Sequence, residues 1–226
     1  MRNPLVSVVM ASWNGETFLR PALESLFAQD YEPIEAILVD DGSEDGTPEI
    51  AKSFPGLRYI RQSNEGLAAA HNTGIGASTG SLIAFLDDDD VLPPTKVGVQ
   101  ARYLAEHPEV GCVLGRQEWI NPPVWLTRDA VYGDLDGIAP GTAMIRRDVL
   151  EQLGGFDPSF RWGEDMDLLV RMREHDVELV VLPEVVLHRR FTGSNMTAPT
   201  NRPERNPLLK SLKAKLDRER GGSVTG

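Results

Sequence analysis

The 226-residue chain has a single cysteine, Cys112, which excludes an intramolecular disulfide framework. Set in the apolar stretch from Val110 to Leu114, it reads as a small core residue of a protein in a reducing compartment. No apolar run approaches the length of a membrane span, and the stretch after Met1-Arg2-Asn3-Pro4 is too short for a secretory leader. The expected location is therefore the cytoplasm, with any membrane contact peripheral. Cations are in deficit: 23 Lys and Arg against 34 Asp and Glu leave a formal charge of −11. No basic groove stands out that would neutralise phosphates, so no nucleic-acid partner is expected. A dinucleotide fingerprint is missing too, because Gly74 and Gly76 are followed by Thr79 where a third glycine is required.

What the chain has is acid in two places. Asp87 to Asp90 follow the apolar run Leu82-Ile83-Ala84-Phe85-Leu86 and precede Pro93-Pro94, so a buried strand ends in four adjacent carboxylates. Ile34 to Val39 reads as a second strand and runs into Asp40-Asp41-Gly42-Ser43. In open α/β sheets ligands collect beyond the carboxyl ends of the strands, and hard cations such as Mg²⁺ or Mn²⁺ select carboxylate oxygens. The plain alternative for the acid run is a solvated loop whose last Asp caps the next helix. A calcium loop starting at Asp41 fails, since its last ligand position falls on Lys52.

The periodicity alternates between strand and helix. Val6 to Ala11 is a strand; Phe18, Leu19, Ala22, Leu23, Leu26 and Phe27 share a helical face; and the strand at Ile34 completes a βαβ unit. The pattern continues with a helix at Pro48 to Ser53, a strand at Leu57 to Arg61, a helix at Gly66 to Ala77 and the strand ending at Asp87. After Pro94, Val97, Ala101 and Leu104 mark a helix, and Val110 to Leu114 a strand. This predicts an α/β fold with a mostly parallel central sheet and helices on both faces. Gln117 to Gly141, with its prolines, glycines and Trp119 and Trp125, reads as an irregular rim. Ala143 to Ile145 is a short strand, Arg146 to Leu153 a helix, and Glu164 onward another helix.

On that last helix Asp165 shares a stripe with Leu168, Leu169 and Met172, so it faces inward, while Glu164 and Asp167 fall off the stripe. An acid in the first turn, favoured by the helix dipole yet partly desolvated, suits a general base; a simple first-turn cap is the alternative.

Six segments in order then resemble the family 2 glycosyltransferases of GT-A fold. They are Val6 to Asn14; Val39-Asp40-Asp41-Gly42-Ser43; Asn64-Glu65-Gly66 through Asn72-Thr73-Gly74; Phe85 to Asp90; Gly154-Gly155-Phe156-Asp157; and Glu164-Asp165. The resemblance spans residues 5 to 195 and implies a Rossmann-like GT-A domain over residues 1–200. It also implies inverting transfer of a sugar from a nucleotide diphosphate, UDP, to a saccharide or lipid-linked acceptor hydroxyl, with Mn²⁺ or Mg²⁺ on the diphosphate. By the same resemblance Ala11 and Trp13 line the nucleotide pocket, Asp41 meets the base, Asp88 the ribose or metal shell, and Asp89, with Asp87 in the same motif, the metal. The register within the four acids is open by one residue. Asp165 is the base, with Glu164 beside it; Trp162, just before that acid pair, is either a ring that stacks on a sugar face or a buried core aromatic.

The chain departs from the family where a histidine is usual, since His188-Arg189-Arg190-Phe191 has Phe191 in that slot. His188 is then an alternative metal ligand or a structural strand-end histidine, and Arg189 and Arg190 are diphosphate ligands or a surface pair. Residues 201–226 carry seven Lys or Arg against three acids, with Leu208, Leu209, Leu212 and Leu216 on one helical face. This basic amphipathic tail docks on the acidic body, joins a homodimer, binds anionic lipid at the inner membrane face, or is disordered. Two other functions remain open. One is a non-catalytic nucleotide-sugar-binding domain; the other is a nucleotidylyltransferase, disfavoured because Ala11-Ser12-Trp13-Asn14-Gly15 has no phosphate-binding cation.

Overall fold

The computed structural model describes residues 3–122, 140–161 and 163–192. Strands β1 (Val6–Ser12), β2 (Ile34–Asp40), β3 (Leu57–Arg61), β4 (Leu82–Asp87), β5 (Val110–Ile120), β6 (Met144–Arg146) and β7 (Glu178–Arg190) form one sheet in the order β3-β2-β1-β4-β6-β5-β7. β6 alone runs against its neighbours β4 and β5; the other pairings are parallel. Helices α1 (Leu19–Phe27), α2 (Thr47–Lys52), α3 (Leu67–Ala77), α4 (Lys96–Glu106), α5 (Arg147–Leu153) and α6 (Glu164–Glu174) cover it.

Alternation along β1 divides the core. Val6, Val8 and Met10 pack with Leu19, Leu23, Ala51, Val97 and Leu104, placing α1, α2 and α4 on one face. Val9 packs with Ala68, Ile75, Leu150, Leu168 and Met172, placing α3, α5 and α6 on the other. Strands buried on both faces read as continuous apolar runs, which is why β1 and β4 were plain in the sequence. Cys112 is fully buried in β5, its thiol pushed up to about 12 by burial, in keeping with an inert core residue.

The largest departure from the expected elements is at β5 and β7. Gln117 to Ile120, assigned above to an irregular rim, continue β5 and pair with Leu187 to Arg190 of a 13-residue β7. Their polar sequence hid a strand that a distant partner stabilises through backbone hydrogen bonds. Phe27 also leaves the buried face: it is exposed and stacks on Phe54 at 5.7 Å. Trp125 and residues 201–226 lie outside the described residues.

Two buried polar side chains set the rim. Lys96 Nζ donates to Gln100 Oε1 at 2.8 Å, and Gln100 Nε2 donates to the carbonyls of Thr142 at 2.8 Å and Val113 at 3.2 Å. They fasten the turn Pro140–Thr142 against β5, and burial lowers the Lys96 amine to about 7.

Candidate active site

Register gathers the acids. Ser12 pairs with Asp40, and Ala11 with Asp87, so β1, β2 and β4 end on a common edge. Beyond it, one oxygen each from Asp87, Asp89 and Asp90 lies within 4.8 Å of the others. An all-oxygen, anionic donor set of this kind fits a hard divalent cation. Asp88 is turned the other way: its carboxylate accepts a short hydrogen bond from Ser12 Oγ and packs on Gly15, where a Cβ would collide with both groups. That approach explains the glycine in Asn14-Gly15.

Electrostatics follow from this crowding. Burial, then the charges of Asp89 and Asp87, raise Asp88 to about 7 against the pull of the Ser12 hydrogen bond. Burial and Asp87 raise Asp89 to about 6, with Arg189 opposing. Asp90 is pushed up by burial and by both neighbours, yet it has a structural duty as well, since its Oδ1 accepts the Arg190 amide at 2.8 Å. With the Val91–His188 backbone bridge this ties the acid turn to the end of β7.

The second acid turn is built differently. Asp40 is fully buried and spent on structure, taking the Ser43 amide at 2.8 Å and the Tyr59 hydroxyl at 2.5 Å. Asp41 accepts Gln62 Nε2 at 2.8 Å and the amides of Glu65 at 2.9 Å and Gly66 at 2.8 Å, which locks the loop entering α3. Gly66, at φ 93°, supplies the left-handed turn that aims its amide. Trp13, 59 % exposed, stands at the end of β1, while Ala11 is buried against Ile37, Val39 and Ala70.

Across the edge, Asp165 walls an apolar pocket with Phe85, Phe156, Leu168, Leu169 and Met172, as its helical stripe required. Its carboxyl is raised chiefly by burial, and Asp87 adds to the rise; the Met166 amide and the Arg189 guanidinium oppose it. Arg189, buried in β7, thus acts on both Asp89 and Asp165, and its guanidinium lies over Trp119. Arg190 reaches the Asp89 carbonyl at 3.1 Å and lies over Phe18. His188 is not brought into the carboxylate group; its Nε2 is 3.9 Å from Glu118 on β5.

Glu164 and Asp167, which lie off the apolar stripe of α6, are nevertheless both buried. Asp167 pairs with Arg171 at 2.7 Å, and Arg171 donates to the Leu153 carbonyl at 2.8 Å, so α6 is flanked by α5 as well as by the sheet. A single apolar stripe could not reveal that second contact. Trp162 lies outside the described residues.

Sequence reasoning also missed Ser12, Gln62 and His71. His71, on α3, is fully buried between Phe85 and Phe156, with ring centroids at 5.2 and 5.0 Å, and neither ring nitrogen has a hydrogen-bond partner. Desolvation lowers it to about 4, with the Asp87 charge opposing.

A mostly parallel sheet with acids at the carboxyl ends of β2 and β4 and a facing acid on α6 is the architecture of the GT-A fold. The chain belongs to glycosyl transferase family 2, whose description matches residues 7–154. It is 36% identical over 106 residues to the glycosyltransferase GlyA of Streptococcus pneumoniae, covering 45% of this chain and 15% of that protein. It is 29% identical over 183 residues to the uncharacterized glycosyltransferase RP339 of Rickettsia prowazekii, covering 74% of this chain and 58% of the relative. The chain therefore spans less than two thirds of either relative. Among solved structures, residues 1–349 of S. aureus TarS with UDP-GlcNAc superpose at a TM-score of 0.77, 19% identity, 92% of this chain and 64% of that one. Mannosyltransferase PcManGT of Pyrobaculum calidifontis, with GDP-Man and Mn²⁺, gives 0.70 at 21% identity, with coverage of 94% and 70%. Among the described residues no helix is long and apolar enough to cross a membrane.

Proposed function

We propose that the chain transfers a sugar from UDP to a hydroxyl of a saccharide or lipid-linked acceptor, inverting the anomeric centre. One observation carries this reading: Asp165 stands in the wall of an apolar pocket and feels the charges of Asp87 and Arg189, which supports a proton acceptor beside the end of the site assigned to the diphosphate. Asp165 removes the proton from the acceptor hydroxyl as that oxygen attacks the anomeric carbon and the bond to the diphosphate breaks. A single base on the acceptor side, with no second carboxylate needed as nucleophile, gives inversion. Trp13 and Asp41 hold the base, Asp88 the ribose, and Arg189 and Arg190 the diphosphate oxygens, for which guanidinium geometry is suited. Asp87 and Asp89 would hold Mn²⁺ or Mg²⁺, which when bound neutralises charge on the departing diphosphate. Support for a nucleotide sugar as substrate comes from the neighbours solved with UDP-GlcNAc and with GDP-Man.

The test is a panel of nucleotide sugars in a thermal-shift assay with and without Mn²⁺, since a ligand of the folded state raises the unfolding temperature. The donor that binds is then used with candidate acceptors and the product's anomeric configuration is read by NMR. Retention of configuration, or no metal-dependent shift with any UDP-sugar, would overturn the reading.

A further inference from the structure

Asp41 is 4% exposed, and its carboxylate is nearly full. Oδ1 accepts two hydrogen bonds, from Gln62 Nε2 at 2.8 Å and the Glu65 amide at 2.9 Å, and Oδ2 accepts one, from the Gly66 amide at 2.8 Å. An ionised carboxylate has about two acceptor positions on each oxygen. Oδ1 is therefore spent, and one position remains, on Oδ2.

From this count we infer that Gln62 determines the nucleobase. A base meeting the residual position must present one ring N–H flanked by carbonyls, the edge of uracil or thymine. Guanine presents two donors side by side, and the second would meet an oxygen already saturated. Cytosine presents a bare ring nitrogen, an acceptor facing an acceptor. Selection of this kind works through the penalty on the wrong partner, because a buried donor without an acceptor loses its water and gains nothing. Two of the three groups filling Asp41 are backbone amides of the loop entering α3, present whatever the side chains. The third is the Gln62 side chain, so it alone can be changed without rebuilding the loop.

The placement of Gln62 is fixed on both sides. Its own amide donates to the Asp40 carbonyl at 2.9 Å, extending the β2–β3 ladder by one residue. Its side-chain NH₂ faces Asp41 because a carboxylate can only accept. The neighbours solved with UDP-GlcNAc and with GDP-Man show that proteins of this fold take either base, so a choice has to be made somewhere in each chain.

The inference rests on the reading that Asp41 meets the base, and calorimetry on the full chain separates the two. UDP, GDP and CDP are titrated in the presence of Mn²⁺ into the wild type, Gln62→Met, Gln62→Lys and Asp41→Asn. UDP is expected to bind the wild type at least about tenfold more tightly than GDP or CDP, the scale of one unpaired buried donor. Gln62→Met removes the donor to Oδ1 and should narrow the UDP-to-GDP ratio by about fivefold or more, leaving CDP weak. Gln62→Lys restores a donor and should keep the wild-type ratio. Equal binding of UDP and GDP by the wild type, or an unchanged ratio in Gln62→Met while Asp41→Asn weakens UDP, overturns the role of Gln62 alone. No loss of UDP affinity in Asp41→Asn overturns the base contact and this inference together.

Discussion

The Arg189 guanidinium lies 5.1 Å from the centre of the Trp119 ring, and the two residues are register partners in the parallel β5–β7 ladder. Partners in register share a sheet face, so the stack fixes the cation on the side from which its field reaches Asp89 and Asp165. A cation–π contact of this kind contributes about 0.5–2 kcal/mol. Trp119→Leu should therefore weaken UDP binding by roughly 2- to 30-fold, with little effect on uridine, which has no phosphates. Calorimetry with the two ligands checks this, and equal losses for both would remove Arg189 from the diphosphate.

The acid run should divide by mutation into metal ligands and a structural member. Asp89→Asn is expected to lower Mn²⁺-dependent UDP affinity by about tenfold or more with the fold intact. Asp90→Ala should instead destabilise the chain by about 1–3 kcal/mol, because the Arg190 amide loses its buried acceptor. Part of that cost is returned by relief of repulsion from Asp87 and Asp89. Denaturant unfolding beside calorimetry separates the two, and an Asp90→Ala variant of normal stability that binds no metal would shift the register by one residue.

His71 gives the fold a pH dependence of known sign. Its folded pKa, about 4, lies below the ordinary histidine value of 6.5, so between those values the unfolded chain binds more protons and stability falls as the solution is acidified. The loss is about 2 kcal/mol at pH 5 relative to neutral pH. His71→Leu, which also removes two unpartnered ring nitrogens, should be more stable than wild type, with an advantage that grows as pH falls from 7 to 5. Urea unfolding at the two pH values measures it; an advantage independent of pH would mean that His71 is not buried neutral.

Much of this site was legible because strands buried on both faces announce themselves and end in acids. The apolar runs before Asp40 and Asp87 fixed the shared edge, and the Asp165 stripe with Leu168, Leu169 and Met172 fixed the facing wall. What stayed hidden depends on partners far apart in sequence. β7 and the end of β5 stabilise each other, Asp167 is tied through Arg171 to a second neighbour of α6, and Asp90 serves an amide a hundred residues away. Hydrophobic period reports one buried face of one element and is blind to such contacts.

Asp165 and Glu164 provide the sharpest test of the chemistry. Both are first-turn acids of α6, Glu164 buried and Asp165 half-buried, but the pocket is walled by Asp165 and not by Glu164. Asp165→Asn preserves shape while removing the proton acceptor, so turnover should fall by about 10²- to 10⁴-fold with donor affinity little changed. Burial raises the Asp165 pKa, and a base must be ionised to act, so the acid limb of the wild-type kcat profile should lie above the ordinary aspartate range. Glu164→Gln should keep that limb in place and act mainly on KM. The measurement is kcat and KM across pH for wild type and Glu164→Gln, with single-turnover rates for Asp165→Asn. Near-normal turnover in Asp165→Asn together with loss of activity in Glu164→Gln would transfer the base to Glu164.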